Sequence, residues 1–170
     1  MQSRGCYVTS ASLKDPETAL HHAPAGIANV EVMTVVPGAP SLWGATAEDA
    51  EKWRYRHNDR YHAIKNALEQ EMVDRLERMF PGTAGAIAYR ESATPLSQIR
   101  YTRATDGTGY GLAGTPAQFM GGRPGVRGPL SGLYLTGAST RSGHGVLGSM
   151  MGGRQAARRI ASDLGRPLGR

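Results

Sequence analysis

The chain has 170 residues, 39% of them hydrophobic, which suits one compact domain or a large piece of a bigger protein. Net charge is +6, from 20 Lys and Arg against 14 Asp and Glu, enough to raise nucleic acid or an anionic surface as a partner. Arg154, Arg158, Arg159, Arg166 and Arg170 oppose only Asp163, however, and read as a solvated helix end rather than a nucleic-acid site, since few aromatics accompany them. The lone Cys6 excludes an internal disulfide and fits a reducing compartment, and no apolar run approaches the roughly 20 residues of a membrane span. With no signal-peptide core behind residues 1–5, the expected location is cytoplasmic.

In chain order, residues 6–10 (CYVTS) are rich in β-formers, and residues 27–36 (IANVEVMTVV) alternate Val30, Val32 and Thr34 against Glu31, Met33 and Val35 before Pro37. Two strands are predicted, joined by a surface connection with turn chemistry at Asp15-Pro16 and Pro24-Ala25-Gly26. Thr46 is an N-cap candidate with Glu48 and Asp49 behind it, and Pro81-Gly82 is a stop. Between them Trp53, His57, Tyr61, Ile64, Leu68, Met72, Leu76 and Met79 recur at steps of three and four, predicting one helix over 46–80.

Residues 86–91 (AIAYRE) and 98–103 (QIRYTR) are expected as a third and a fourth strand, followed by a glycine-rich, aperiodic stretch. Residues 132–137 (GLYLTG) suit a short buried strand, and a last helix is predicted from near Gly145 to about Asp163, ended by Gly165 and Pro167. The resulting fold class is α+β, a mostly antiparallel sheet covered by the long helix and followed by a strand, loop and helix.

Gly143-His144-Gly145-Val146-Leu147-Gly148 matches G-x-G-x-x-G, but residues 138–142 separate it from the strand, and no second strand with a ribose-binding acid follows. Two readings stay open. The glycines let backbone amides at a helix N-terminus approach an electron-rich ligand, or they only permit close helix packing. Among other candidates, His21, His22, His57, His62 and His144 lack metal-ligand spacing, and Ser139 and Ser142 lie in no G-x-S-x-G elbow. Tyr101 and Tyr110 are candidates for lining an apolar substrate cavity, against a plain packing role.

Residues 133–160 (LYLTGASTRSGHGVLGSMMGGRQAARRI) resemble the C-terminal flavin-binding motif of the phytoene desaturase and carotenoid isomerase-like FAD oxidoreductases, a branch of the amine-oxidase type flavoproteins. Upstream, Thr94-Pro95-Leu96, Arg100-Tyr101-Thr102 and Gly109-Tyr110-Gly111 resemble the family's approach to that motif. Residues 53–82, Lys14-Asp15-Pro16 and Val35-Val36-Pro37 are similar to its substrate domain. The resemblance implies a partial substrate-binding domain over 1–129 and an FAD-binding segment over 130–170. It also implies that Gly137, Ala138, Ser139, Gly145, Val146 and Leu147 lie along the ribityl chain and ring of FAD, with His144 joining Tyr101 and Tyr110 on the substrate side.

Two positions depart from the family pattern. Ala138 stands where related flavoproteins often carry an acid, and Arg141-Ser142-Gly143-His144 replaces a His-Pro-Gly-Gly run. Nothing over 1–129 looks like a strand followed tightly by G-x-G-x-x-G, so no site for the ADP half of FAD is expected in this chain. The implied function is flavin-mediated desaturation, reduction or isomerisation of an apolar, polyene or isoprenoid-like small molecule. The implied partners are a separate FAD-domain chain or a second copy of this one, with peripheral membrane contact and no nucleic acid. Non-catalytic or split-subunit status and a basic nucleic-acid or anionic-surface binder are the alternatives.

Overall fold

The computed structural model describes residues 5–118 and 120–166, in two compact units, Met1–Gly107 and Thr108–Arg170. In the first unit β1 (Tyr7–Thr9) pairs antiparallel with β2 (Glu31–Met33), Tyr7 opposite Met33. Both lie inside the predicted strands. The connection between them holds two single-turn helices, α1 (Ala11–Lys14) and α2 (Ala19–His22), and the Ser12 hydroxyl accepts from the Asn29 N–H at 3.0 Å to fasten its end.

The predicted helix over 46–80 is divided. α3 (Ala47–Glu51) is capped by a reciprocal Thr46–Asp49 box, Trp53 follows at φ 61°, and a 3-10 turn (Arg54–His57) leads to α4 (Asp59–Met79), capped by Asn58. The physical reason lies in Tyr55 and Tyr61, both buried and packed edge to face with centroids 4.9 Å apart. Six residues along a continuous helix would separate them by about 240° around the axis. Only a break brings both rings to one core, and Asn58-Asp59 supplies the new start through the Asn58 Oδ1, which accepts from the Tyr61 N–H at 3.0 Å.

The fourth predicted strand is a helix, α5 (Pro95–Thr102). Pro95 sits at the first helical position, where its missing N–H costs nothing, and Leu96 and Ile99, three apart, enter the core together. The apparent alternation in QIRYTR is one helical face seen over too short a window. The third predicted strand, 86–91, forms no ladder among the described residues. It runs beside α4, held there by Arg90 to Glu69 at 2.9 Å and the Ser92 hydroxyl to Glu69 at 2.6 Å. Trp43, Ala45, Ala50, Tyr55, Tyr61, Leu68, Leu96 and Ile99 form the core, with the Trp43 indole donating to the Pro37 carbonyl at 2.9 Å.

In the second unit the predicted strand over 132–137 is reduced to a single antiparallel bridge between Arg127 and Tyr134. The Leu135 N–H to Val126 carbonyl (2.7 Å) and Gly128 N–H to Leu133 carbonyl (2.9 Å) bonds flank it. Pro124 and Pro129 have no N–H to extend the ladder. α6 runs from Gly145 to Asp163, as predicted, and Gly165 at φ 66° turns the chain at its end; Pro167 lies outside the described residues.

Candidate functional site

The site expected at the start of α6 is built from the loop before it. Gly137 (φ 96°) opens a turn in which the Thr140 N–H and hydroxyl both bond the Gly137 carbonyl, at 3.1 and 2.9 Å. Gly143 (φ 83°) and Gly145 (φ 78°) then bend the chain into the helix, where a β-carbon would be strained. Open space surrounds the positions of the missing side chains at Gly137, Gly143 and Gly145.

Gly148 and Gly152 behave differently, and they show that both readings of the glycine cluster have a place. A β-carbon on Gly148 would lie 2.6 Å from the Gly143 carbonyl oxygen, and one on Gly152 3.0 Å from the Thr136 hydroxyl. These two, with Ala156, form a small-residue face four residues apart on which the loop rests. The cluster therefore divides its work: Gly148 and Gly152 serve packing, whereas Gly137, Gly143 and Gly145 leave backbone accessible.

His144 occupies the N-cap position of α6 without a side-chain bond to the helix amides, and the first turn carries no acid. The first N–H groups of a helix have no intrahelical acceptor, so this end is an electropositive edge for an electron-rich group. Val146 and Leu147 flank it at 79% and 72% exposure. The Ala138 carbonyl accepts from the Arg123 guanidinium at 2.6 Å, and Ser139 lies against Gly111, where a β-carbon would fall 2.6 Å from its hydroxyl oxygen.

Tyr110 packs against His144 with centroids 4.6 Å apart and the rings tilted by 33°, so two of the three substrate-side candidates are neighbours. Tyr101 belongs to the first unit, on α5, edge to face with Trp53 at 5.9 Å and 71% exposed. The residue that the sequence concealed is Arg123. It stands in the aperiodic run Gly121-Gly122-Arg123-Pro124-Gly125 and carries no motif, yet it is buried and bonds three backbone carbonyls. Its only signal was an isolated charge among residues that favour turns.

At the far end of α6, Asp163 accepts from Arg127, from the Tyr134 hydroxyl at 2.8 Å, and pairs with Arg159 at 3.4 Å. The Arg127 and Tyr134 hydrogen bonds hold the Asp163 carboxyl below the usual carboxylate range, and the Asp163 carboxylate pushes the Tyr134 phenol up. This cluster anchors the bridge segment to the helix. Among the described residues no group of three His, Cys, Asp or Glu could hold a metal ion, and no helix is long and apolar enough to cross a membrane.

The chain is similar to plant proteins named as chloroplastic prolycopene isomerases. It is 34% identical to that of Daucus carota over 123 residues and 32% identical to that of Arabidopsis thaliana over the same length. An Oncidium hybrid prolycopene isomerase is 29% identical over 121 residues. Each alignment covers 71% of this chain but only 20–21% of the relative, so the chain spans about one fifth of the length of these proteins. No protein-family profile matches the chain, and no solved structure matches it.

Proposed function

We propose that this chain is the flavin-contacting C-terminal part of a carotenoid-modifying enzyme of the FAD oxidoreductase type, acting on a polyene or related apolar substrate. Support comes from the similarity to prolycopene isomerases together with one structural observation. The uncapped N-terminus of α6 stands open between the bare glycines Gly143 and Gly145 and the exposed side chains of Val146 and Leu147. An apolar ring with an electron-rich edge fits such a surface, because the side chains cover its face while the amides meet its heteroatoms.

In this reading Gly137, Ala138, Ser139, Gly145, Val146 and Leu147 line the ribityl chain and ring of FAD, which supplies two-electron redox chemistry when bound. The chain's own part is to orient and to polarise. The α6 amides stabilise negative charge at the edge they meet, and Tyr110 and His144 present a packed pair beside it as a wall for the substrate. Completion of an FAD domain by the loop and α6, with the first unit as part of a substrate domain, belongs to the same proposal. So does the need for a dinucleotide-binding portion, on a separate chain or within a longer polypeptide. The relatives are named chloroplastic, so a plastid setting stands in this proposal beside the cytoplasmic expectation.

A titration of the purified chain with FAD, FMN and riboflavin, followed by flavin absorbance, tests this. Because only the isoalloxazine and ribityl end would be contacted, FAD and FMN should bind within about threefold of each other, and a Gly145→Val substitution should abolish both. FAD bound far more tightly than FMN would place an ADP site in this chain. Absence of binding by all three would overturn flavin binding by this chain alone, and the same titration of the chain joined to its dinucleotide-binding portion would then decide the flavin assignment.

A further inference from the structure

A buried guanidinium is costly unless its donors are satisfied, and it remains a local source of positive charge unless a carboxylate lies beside it. Arg123 is 6% exposed. Its Nε–H donates to the Gln118 carbonyl at 2.9 Å, Nη1 to the Ala138 carbonyl at 2.6 Å, and Nη2 to the Leu112 carbonyl at 3.0 Å. The Arg123 carbonyl accepts in turn from Arg141 Nε at 3.1 Å, and the Pro124 carbonyl from the Arg141 N–H at 3.0 Å. Three separate segments thus converge on one rigid, planar set of donors. Among the described residues, no ion pair joins Arg123 to a carboxylate.

We propose that Arg123 is the positioning residue for the turn that leads into α6, fixing it through the Ala138 carbonyl, and that its unneutralised charge makes this turn favour a negatively charged ligand over its neutral form. The second half rests on the flavin reading above, where the preferred form is the reduced, more negative flavin. Three carbonyls take three of the guanidinium's five N–H donors and contribute only dipoles, so the unit charge persists beside the turn. A lysine would keep that charge without the planar fork. A methionine would remove both.

The test compares the wild-type chain, Arg123→Lys and Arg123→Met. Amide hydrogen exchange without ligand reads the turn over residues 137–145, and exchange over 155–163 in the same unit reports whether α6 remains folded. In Arg123→Met, exchange in the turn should rise at least tenfold while the late α6 amides stay protected, with Arg123→Lys in between. Affinities for oxidised and reduced FMN read the charge: the wild type should prefer reduced FMN, Arg123→Met should lose about tenfold of that preference, about 1.4 kcal/mol, and Arg123→Lys should keep it.

Turn exchange unchanged in both variants would overturn the positioning role, and equal loss of preference in both would overturn the charge role. If Arg123→Met fails to fold, Arg123→Lys decides, since a turn as protected as the wild type's would sink the clamp. A wild-type chain that binds no FMN overturns the charge role in this chain, and the exchange comparison still decides the positioning role.

Discussion

A single β-carbon separates the two kinds of glycine in this chain. Gly148→Ala places a methyl 2.6 Å from backbone oxygen that cannot move without shifting the loop. It should destabilise the second unit by roughly 1–3 kcal/mol even though alanine is the better helix former. Gly153→Ala, where nothing lies within 4 Å, should instead stabilise it by about 0.5–1 kcal/mol. Urea unfolding of the two variants should therefore move the midpoint in opposite directions. Asp163 gives a second prediction at this scale. Its folded pKa is depressed, so the stability it contributes is present above its unfolded value near pH 4 and is lost as pH falls through the lower folded value. Tyr134, whose pKa is raised by the same contact, contributes stability that is full below about pH 10 and lost as pH rises through its folded value. Asp163→Asn should flatten the acid limb of the melting curve and bring the Tyr134 titration, followed by phenolate absorbance, back toward its ordinary position.

Caps and breaks decide the elements. Asn58→Ala removes the bond to the Tyr61 N–H and the 2.6 Å bond from Nδ2 to the Gly44 carbonyl. It should cost about 1–2 kcal/mol in chemical denaturation. The apolar spacing that predicts one helix over 46–80 runs on through Trp53 and His57 without registering this start, because a helical period does not reveal where a chain leaves the helix to turn a tyrosine inward. α5 teaches the converse. The β-like run of six residues over 98–103 predicts a strand, and only the joint burial of Leu96 and Ile99 shows that the helical period governs this segment. Leu96→Ala, at 0% exposure, should cost 2–5 kcal/mol in thermal or urea unfolding.

Across the whole molecule, several basic side chains are held in ion pairs, which leave the net excess of +6 unchanged. Arg54 meets Glu48 and Asp49, Arg75 meets Glu71, Arg90 meets Glu69, and Arg127 and Arg159 meet Asp163. A fluorescent DNA duplex should accordingly bind the chain no more tightly than about 10⁻⁶ M at physiological salt, the non-specific range. A much tighter complex with a steep salt slope would favour the anionic-surface alternative. The sequence by itself located the last helix, the segments that contain β1 and β2, and the carotenoid isomerase-like resemblance that the prolycopene isomerase similarity supports. Those features rest on local periodicity, caps and a contiguous motif, all of which act between residues near one another in the chain. Tertiary structure alone decided that residues 98–103 are helical, that the long helix breaks at Trp53, and that Arg123 is a buried hub joining Leu112, Gln118 and Ala138. Each of these depends on groups distant in sequence competing for one buried volume or one set of donors, and such a competition leaves no periodic trace.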